Sequence, residues 1–348
     1  MNIISRFFRS LCLGLVFATT HAHSADSISQ QFISQALQGD LSQAGYLFTS
    51  GPDSGSMSVT ELSKQFHSRF VEQSDSQSPG TGDVLADAII SAYRKYWILT
   101  LMRQLSFEDG EDFLAAALVQ VLSSSGNTEI PVHAANVFER VGEALKEKDF
   151  QYLDTPAPPL RDLFLWKTEE NRIYTVRLTD LTQTVRVTFM SDLYSMGWKQ
   201  YATLGLVSTT GWVEGGRLYC VAWAYDRNSE NFEVSYLKHE SRHLADLERF
   251  PALQSADLEY RAKLTELVFA SNSLKRLLDD FTNKSALNPA SPHSYANYRV
   301  TRDVYREMFA EPFPESADPW QEVSAQLVST TARDLLRANT EMLQTASP

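Results

Sequence analysis

The string KHESRH at residues 238–243 places two histidines four positions apart, with a glutamate directly after the first. Residues four apart lie on one face of a helix, about 5–6 Å apart at Cβ. Two imidazoles in this arrangement can bind one zinc ion at Zn–N distances of about 2.0–2.1 Å. Glu240 lies beside this pair, where a carboxylate can act as general base toward a water on the metal. The spacing therefore predicts zinc ligation by His239 and His243 and catalysis by Glu240.

A catalytic zinc site also needs a third protein ligand and an open fourth position. After Pro251 ends the motif helix, a second helical pattern begins near Ser255. In this second helix, Glu259, Ala262 and Glu266 share one face at spacings of three and seven residues. The small side chain of Ala262 allows a close approach to the motif helix. We predict Glu259 as the third ligand, with Glu266 as the alternative.

These motifs resemble those of the gluzincin metallopeptidases, zincins that carry HExxH on one helix and a glutamate ligand on the next. The sequence Glu259-x-x-Ala262 looks like the E-x-x-A signature of the compact members, and the resemblance covers roughly residues 200–275. It implies that His239, His243 and Glu259 bind Zn²⁺ and that a zincin-like fold cleaves a peptide or protein substrate. It also implies the general-base role for the glutamate of HExxH.

The sequence departs from the gluzincin pattern in two places. The interval from His243 to Glu259 is 16 positions, which is shorter than in many gluzincins. An aspartate often follows the third ligand by four positions, whereas this chain has Lys263 there. The resemblance therefore supports the histidine pair more directly than it supports Glu259.

Polar donors are concentrated in residues 291–299 (SPHSYANYR), after the predicted ligand helix. Hydrolysis through a tetrahedral intermediate needs such donors in addition to the metal. The candidates are His293, Tyr295, Tyr298 and Arg299. We predict His293 and Tyr298 as catalytic residues, the alternative being a capped helix N-terminus with tyrosines packed outside the site. Because a metal-bound histidine usually donates its other N–H to a carboxylate or carbonyl, Asp246 and Asp257 are candidate partners.

The periodicity of the chain changes at residues 154–160 (DTPAPPL), where three prolines occur in seven positions. Proline ends helices and restricts the residue before it, so this segment predicts a domain boundary. Before it, apolar residues recur at helical spacing. The predicted helices there are 27–49, 83–105, 111–124 and 133–148. We therefore predict a helical N-terminal domain over residues 26–153.

Beyond the prolines, the pattern predicts a zincin-like domain over residues 154–348. Alternating β-branched residues predict a hairpin of 172–178 with 184–190, and further strands at 201–207 and 217–225. Gly215-Gly216 marks a tight turn before the last strand. The predicted helices are 233–249, 255–281, 294–310 and 319–343. A small β-sheet followed by helices, one of which carries HExxH, predicts an α+β fold.

The first 25 residues predict a cleavable secretory signal peptide. Arg6 and Arg9 precede a short apolar run, Leu11 to Ala18, and Ala22 and Ala25 are small residues at cleavage positions. The run is too short to span a bilayer, and no later stretch of about 18 apolar residues occurs, so we expect no stable membrane insertion. The alternatives are an uncleaved anchor or a buried N-terminal helix.

Charge and cysteine content narrow the location and the partners. The 348 residues include 31 Lys and Arg and 43 Asp and Glu, giving a net charge of −12, which argues against nucleic-acid binding. Cys12 lies in the predicted signal, and Cys220 stands in an apolar run as a predicted buried thiol. Export without a disulfide favours a bacterial periplasm or secretion.

Together these features predict an exported zinc-dependent metallohydrolase, most simply a peptidase. A substrate strand would lie along an exposed sheet edge, offered by residues 204–212 or 217–225. The alternative from another class is a non-catalytic periplasmic binding or scaffold protein with a structural zinc site. A third interpretation is a charged helix face that binds no metal.

Overall fold

The computed structural model describes residues 13–17, 25–50, 57–74, 79–124, 136–289, 291–314, 319–321 and 323–346. The strands are β1 Leu13–Phe17, β2 Gln151–Ala157, β3 Leu160–Arg177, β4 Thr182–Met196, β5 Val207–Glu214 and β6 Arg217–Val221. The first helices are α1 Ala25–Leu37, α2 Ala44–Ser50, α3 Met57–Phe66, α4 Val84–Leu101, α5 Phe107–Ser124, α6 Val137–Glu147 and α7 Gly197–Ala202. The later helices are α8 His239–Arg249, α9 Ser255–Phe269, α10 Leu274–Asn283, α11 Pro292–Phe309 and α12 Ala325–Ala346. Two further segments, His67–Val71 and Asn231–Lys238, are π-helical.

The strands form one sheet in the order β1-β5-β6-β4-β3-β2. β2 pairs antiparallel with β3, from Gln151 opposite Trp166 to Ala157 opposite Leu160. β5 pairs antiparallel with β6 through the predicted turn at Gly215 and Gly216, which both have positive φ angles. Helices together with antiparallel strand pairs confirm the α+β class.

The chain forms two compact units. The first, here called the helical unit, consists of Leu15–Glu169 and Met190–Thr209. The second, here called the motif unit, consists of Glu170–Phe189 and Thr210–Pro348 together with Met1–Gly14. The division falls inside β3, β4 and β5, so the chain leaves and re-enters each unit along its strands.

The helical unit is built around α4, which is buried along most of its length. The side chain of Asp83 accepts hydrogen bonds from the N–H groups of Leu85 and Ala86 and so caps its first turn. The polar groups of the buried aromatic residues of α4 form hydrogen bonds. Tyr93 donates to Asp154, and Trp97 donates to a carbonyl of β3. Tyr93, Tyr96 and Trp97 are all core residues.

The motif unit has α9 at its centre. α8, α11 and α12 all pack on α9, and every residue from Leu258 to Val268 is buried. One apolar cluster joins α9 to α10, α11 and α12, and another joins the β3–β4 hairpin and β6 to the start of α8. The helix that was predicted to supply the third ligand is therefore surrounded by other elements on all sides.

The predicted domain boundary at residues 153/154 falls inside the helical unit. The proline-rich segment is not a linker, because it forms the end of β2, a tight turn and the start of β3 inside the helical unit. β2 is the last strand of the sheet, where a proline removes no ladder hydrogen bond that a neighbour needs. The helical unit also includes strands, so the predicted separation of helices from the sheet does not hold.

Several predicted elements are divided or displaced by contacts between distant residues. The strand predicted at 201–207 is wrong for most of its length, because α7 occupies Gly197–Ala202 and β5 begins only at Val207. The buried carboxylate of Asp162 accepts the Trp198 N–H at 2.6 Å and so stabilises the first turn of α7. The hairpin of 172–178 with 184–190 is confirmed within the longer β3 and β4.

Most of the predicted signal peptide lies outside the described residues, and its described part, Leu13–Phe17, is β1. Among the helices of the described residues, none is long and apolar enough to cross a membrane. Cys220 is buried and free, as expected for a thiol in an apolar run.

Glu230 joins the segment before α8 to the loop that divides α9 from α10. Its carboxylate accepts the backbone N–H groups of Ser271, Asn272 and Ser273 and the hydroxyl groups of both serines. Burial raises the pKa of Glu230, but these donors outweigh that effect and hold the pKa at about 2. This contact explains why the helix predicted over 255–281 is divided at this loop.

We expect Glu230→Gln to lower the free energy of unfolding by about 1 kcal/mol near neutral pH, after allowance for solvent screening. The pKa of Glu230 in the folded chain lies below its ordinary value of 4.5, so the stabilisation is present above that value. It should be lost as the pH falls toward 2. Urea unfolding of both proteins across this range measures the difference. The exposed Glu248→Gln is the control, and a difference that does not change with pH would contradict the assignment.

Candidate metal centre

The HExxH motif begins α8, which continues without a break from a π-helical segment before it. The π-helical segment Asn231–Lys238 leads directly into α8, because Lys238 and His239 both have α-region backbone angles. π-Helical turns occur often at functional sites. The hydroxyl of Tyr236 donates to the carbonyl of Tyr219, and a Cβ at Gly211 would come within 2.4 Å of the Tyr236 ring. The glycine thus leaves room for the aromatic ring that anchors the motif helix to the sheet.

The two histidines of the motif point their Nε2 atoms at each other. These atoms lie 3.0 Å apart, and the ring centroids of His239 and His243 are 4.6 Å apart at an interplanar angle of 83°. The residues are 5% and 0% exposed, respectively. Two lone-pair nitrogens at this distance can share one cation that lies between them.

Glu259 of α9 completes the group, as predicted. Its Oε1 lies 3.3 Å from Nε2 of His243, and its Oε2 lies 3.6 Å from Nε2 of His239. Three atoms bound to one zinc ion at about 2.0–2.1 Å in tetrahedral geometry lie about 3.3 Å apart. The Nε2–Nε2 distance, and the distance from each Nε2 to its nearer Glu259 oxygen, are close to this value. One ligand atom from each of His239, His243 and Glu259 lies within 4.8 Å of the other two, so the three residues could hold one ion.

Several polar atoms at this site have no ordinary hydrogen-bond partner. Both carboxylate oxygens of Glu259, Nδ1 of His243 and Oε2 of Glu240 are buried and form no hydrogen bond of ordinary geometry among the described residues, although Nδ1 of His293 lies 2.8 Å from Oε2 of Glu259. Leaving such a group unsatisfied costs about 1–3 kcal/mol. A divalent cation held by Glu259 and the two histidines would satisfy the oxygens of that carboxylate. The side chains present therefore fit a zinc ion.

Glu266, the alternative third ligand, lies on the other side of His239. Its Oε1 is 2.8 Å from Nδ1 of His239, and both residues are buried. The two nitrogens of an imidazole direct their bonds away from each other, so a carboxylate on Nδ1 cannot reach an ion on Nε2. The structure therefore separates the roles of Glu259 and Glu266.

The electrostatic surroundings of the two histidines differ. Burial lowers the pKa of His239 despite the nearby carboxylate of Glu266. Burial also opposes the charged form of His243, but Glu259 and Glu240 outweigh it and raise its pKa. A metal ion requires neutral imidazoles, so the raised pKa of His243 would make metal binding weaker at low pH.

Glu240 lies next to the ligands and is nearly inaccessible, with 2% of its surface exposed. Burial raises the pKa of Glu240 to about 8, with a further contribution from the charges of Glu259 and Glu266. A carboxylate in these surroundings accepts a proton more readily than an exposed one does. This is the property that a general base near neutral pH needs.

The two predicted donors on α11 are separated by the structure. His293 lies at the site, with its Nδ1 2.8 Å from Oε2 of Glu259 and 22% of its side chain exposed. Tyr298 is five residues further along α11, which turns its side chain by about 140° from that of His293. The guanidinium of Arg302 stacks over its ring at 3.6 Å. The contacts of Tyr298 therefore do not join it to the metal ligands.

The remaining predicted partners form other pairs. Arg299 donates to Asp257 at 2.7 Å and stacks over the ring of Tyr260. The Tyr295 ring stacks with that of Tyr298. None of these contacts involves His239, His243 or Glu259, and Asp257, a candidate histidine partner, pairs with Arg299 instead.

Asp246, the other predicted histidine partner, belongs to a buried ionic chain. Arg261 of α9 donates to both oxygens of Asp246, from Nε at 2.7 Å and from Nη2 at 2.9 Å. Arg242 of the motif helix contacts Asp246 and also donates to Asp180 in the β3–β4 turn. Arg261 further donates to Asn339 of α12. This chain links the hairpin, α8, α9 and α12 through buried charges.

Tyr225, which lies in an apolar and aromatic run of the sequence, is a neighbour of the site. Its hydroxyl forms a hydrogen bond with that of Thr210 on β5 at 3.2 Å. Burial, together with the charges of Glu240 and Glu266, raises the pKa of Tyr225. Its hydroxyl therefore remains protonated and able to donate near the general base. An aromatic residue in an apolar run gives no sequence signal for such a position.

Comparison with protein-family models, with curated proteins and with solved structures finds no match for this chain.

We expect Arg261→Met to lower the free energy of unfolding by about 3–5 kcal/mol, because it leaves the buried charge of Asp246 without its closest partner. Arg337→Met on α12 is the matched control, because Arg337 forms an exposed ion pair with Asp334. That substitution should change stability by less than about 1 kcal/mol. Urea unfolding measures both, and equal losses in the two variants would rule out a special role for the buried chain.

Proposed function

We propose that this chain is a zinc-dependent hydrolase that cleaves peptide bonds. The observation that carries the proposal is the convergence of three buried ligand atoms, from His239, His243 and Glu259, beside the carboxylate of Glu240. Two histidines and a carboxylate with an open fourth position are a ligand set of catalytic zinc sites. The gluzincin-like motifs support the same reaction class.

A bound Zn²⁺ at such a site supplies a Lewis acid and makes a water acidic enough to attack near neutral pH. Glu240 takes the proton of the attacking water on a carboxylate oxygen and passes it to the leaving nitrogen. Burial raises the pKa of Glu240, so its ionised carboxylate has a higher affinity for this proton than an exposed carboxylate has. Tyr225 has a protonated hydroxyl in the same surroundings.

His293 approaches the site from α11 and is its most exposed side chain. We assign it to the side from which a substrate arrives, because the ligands themselves are almost fully buried. Its contact with Glu259 holds the ring beside the ligands, where an imidazole can donate to a developing oxyanion. The catalytic role predicted for Tyr298 has no support from the contacts of α11.

The sheet order favours one of the two predicted substrate strands. β6 has neighbours on both sides, whereas β5 has β6 on one side and β1 on the other. β1 lies inside the predicted signal peptide, so cleavage of that signal would remove it. The edge of β5 would then accept an extended peptide by β-augmentation. This proposal requires that the signal peptide is cleaved, as it would be in a protein exported to a bacterial periplasm or outside the cell.

Glu240→Gln should lower hydrolysis by about 10²–10⁴-fold while leaving zinc binding intact, because the amide cannot accept the proton. The assay compares zinc-loaded wild type and variant on a mixed peptide library, with cleavage products measured by mass spectrometry. Zinc content is measured on the same samples. Glu248→Gln, an exposed charge change on the same helix, should remain fully active. Full activity of Glu240→Gln would remove Glu240 from the mechanism.

A structural zinc site in a non-catalytic binding or scaffold protein is the second candidate. The near-complete burial of all three ligands and of Glu240 favours it. A cleft of about 630 Å³ in the motif unit is lined by residues such as Arg177, Glu233 and Lys238, and none of the ligands lines it.

Removal of the metal separates the two candidates. A chelator should abolish hydrolysis if the site is catalytic, and readdition of Zn²⁺ should restore it. Chelation should also lower the melting temperature, because a ligand bound only to the folded state stabilises it by mass action. Zinc binding and a lowered melting temperature without any peptide cleavage would favour the scaffold. Peptide cleavage that persists after complete removal of zinc would contradict the hydrolase proposed here.

A further inference from the structure

We infer that Glu266 is the residue that orients His239 for metal binding, an inference that rests on the proposed metal centre. Its carboxylate accepts the Nδ1–H of His239 at 2.8 Å. This hydrogen bond places the proton on Nδ1 and leaves the lone pair of Nε2 directed toward His243 and Glu259. It also restrains rotation of the ring. Glu266 is thus a positioning residue and does not itself touch the ion.

The structure explains why this task falls to position 266. Lys263, four residues after Glu259, carries its ammonium over the ring of Phe281 at 4.7 Å and so faces α10. Glu266 is seven residues after Glu259, which returns it to the same side of α9 two turns further along. The ligand and the positioning residue therefore come from one helix and contact opposite nitrogens of one ring.

The burial of Glu266 is itself evidence for this role. Only 4% of the residue is exposed, and its one ion-pair partner among the described residues is His239. A carboxylate without a full positive partner is costly to bury. A metal ion on the far nitrogen of His239 would offset that cost by increasing the positive charge on the ring.

The two histidines differ in this respect. Nδ1 of His243 is buried and has no hydrogen-bond partner among the described residues. His239 is therefore the histidine whose orientation a single carboxylate controls. Loss of Glu266 should weaken the metal site through His239, while His243 and Glu259 keep their positions.

The experiment measures zinc affinity in wild type, Glu266→Gln, Glu266→Met and the exposed control Glu248→Gln. Affinity is determined by competition with a chromophoric chelator, and ligand geometry by the visible absorption of the Co²⁺-substituted proteins. Removing such an outer partner lowers metal affinity by about 10–100-fold. The methionine variant, which has no acceptor, should lose the most. The glutamine variant keeps an oxygen acceptor without the charge and should lose less, and Glu248→Gln should match wild type.

The melting temperatures of the four metal-free proteins separate positioning from folding. Equal values with unequal zinc affinity support the inference, and the isosteric glutamine variant decides if the methionine variant fails to fold. Affinities within about twofold of wild type for both variants would overturn the role of Glu266 and leave the metal centre standing. A wild-type protein that binds no zinc overturns both. A wild type that binds zinc but cleaves no peptide overturns only the hydrolase.

Discussion

Negative charge buried in one small region is the constraint on which this site depends. Glu240, Glu259 and Glu266 are all nearly inaccessible, and their neighbours at the site are imidazoles, those of His239, His243 and His293. Carboxylates are costly to bury unless paired charges or metal ions compensate them. The excess of negative charge contributes to two raised pKa values. Burial and the neighbouring carboxylates raise the pKa of Glu240, and Glu259 and Glu240 raise the pKa of His243. A divalent cation between His239, His243 and Glu259 would remove this excess.

The scaffold around the site keeps a second set of buried charges apart from the first. Arg242 and Arg261 neutralise Asp180 and Asp246, and through Asn339 this set extends to α12. Because these arginines have their own partners, they do not neutralise the carboxylates of the metal site. The arrangement fixes the C-terminal half of α8 against α9. The face of α8 that carries His239 and His243 is thereby left free of these arginines.

The sequence was sufficient to predict the α+β class, the hairpin and the convergence of the HExxH helix with Glu259, since those depend on local spacing. It was insufficient where distant residues decide the outcome. The end of α7 and the turn after it replace most of a predicted strand, with the first turn of α7 held by the buried Asp162, and Glu230 binds the loop that divides the long helix predicted after the motif. α9 shows almost no amphipathic pattern because it is buried on every side. For the same reason, the periodicity of α9 did not distinguish Glu259 from Glu266, and only the resemblance of Glu259-x-x-Ala262 to a known motif favoured Glu259.

The π-helical winding of Asn231–Lys238 couples two parts of the motif unit that otherwise have separate anchors. Each residue in a π-turn rotates less about the helix axis than a residue in an α-turn does. If the segment rewound as an α-helix with the ligands held in place, Tyr236 would swing away from the gap that Gly211 leaves for it. If one residue of this segment were deleted, either the Tyr236 ring would leave its position against Gly211 or His239 would change its orientation. The length of this segment is thus as much a part of the centre as its ligands are.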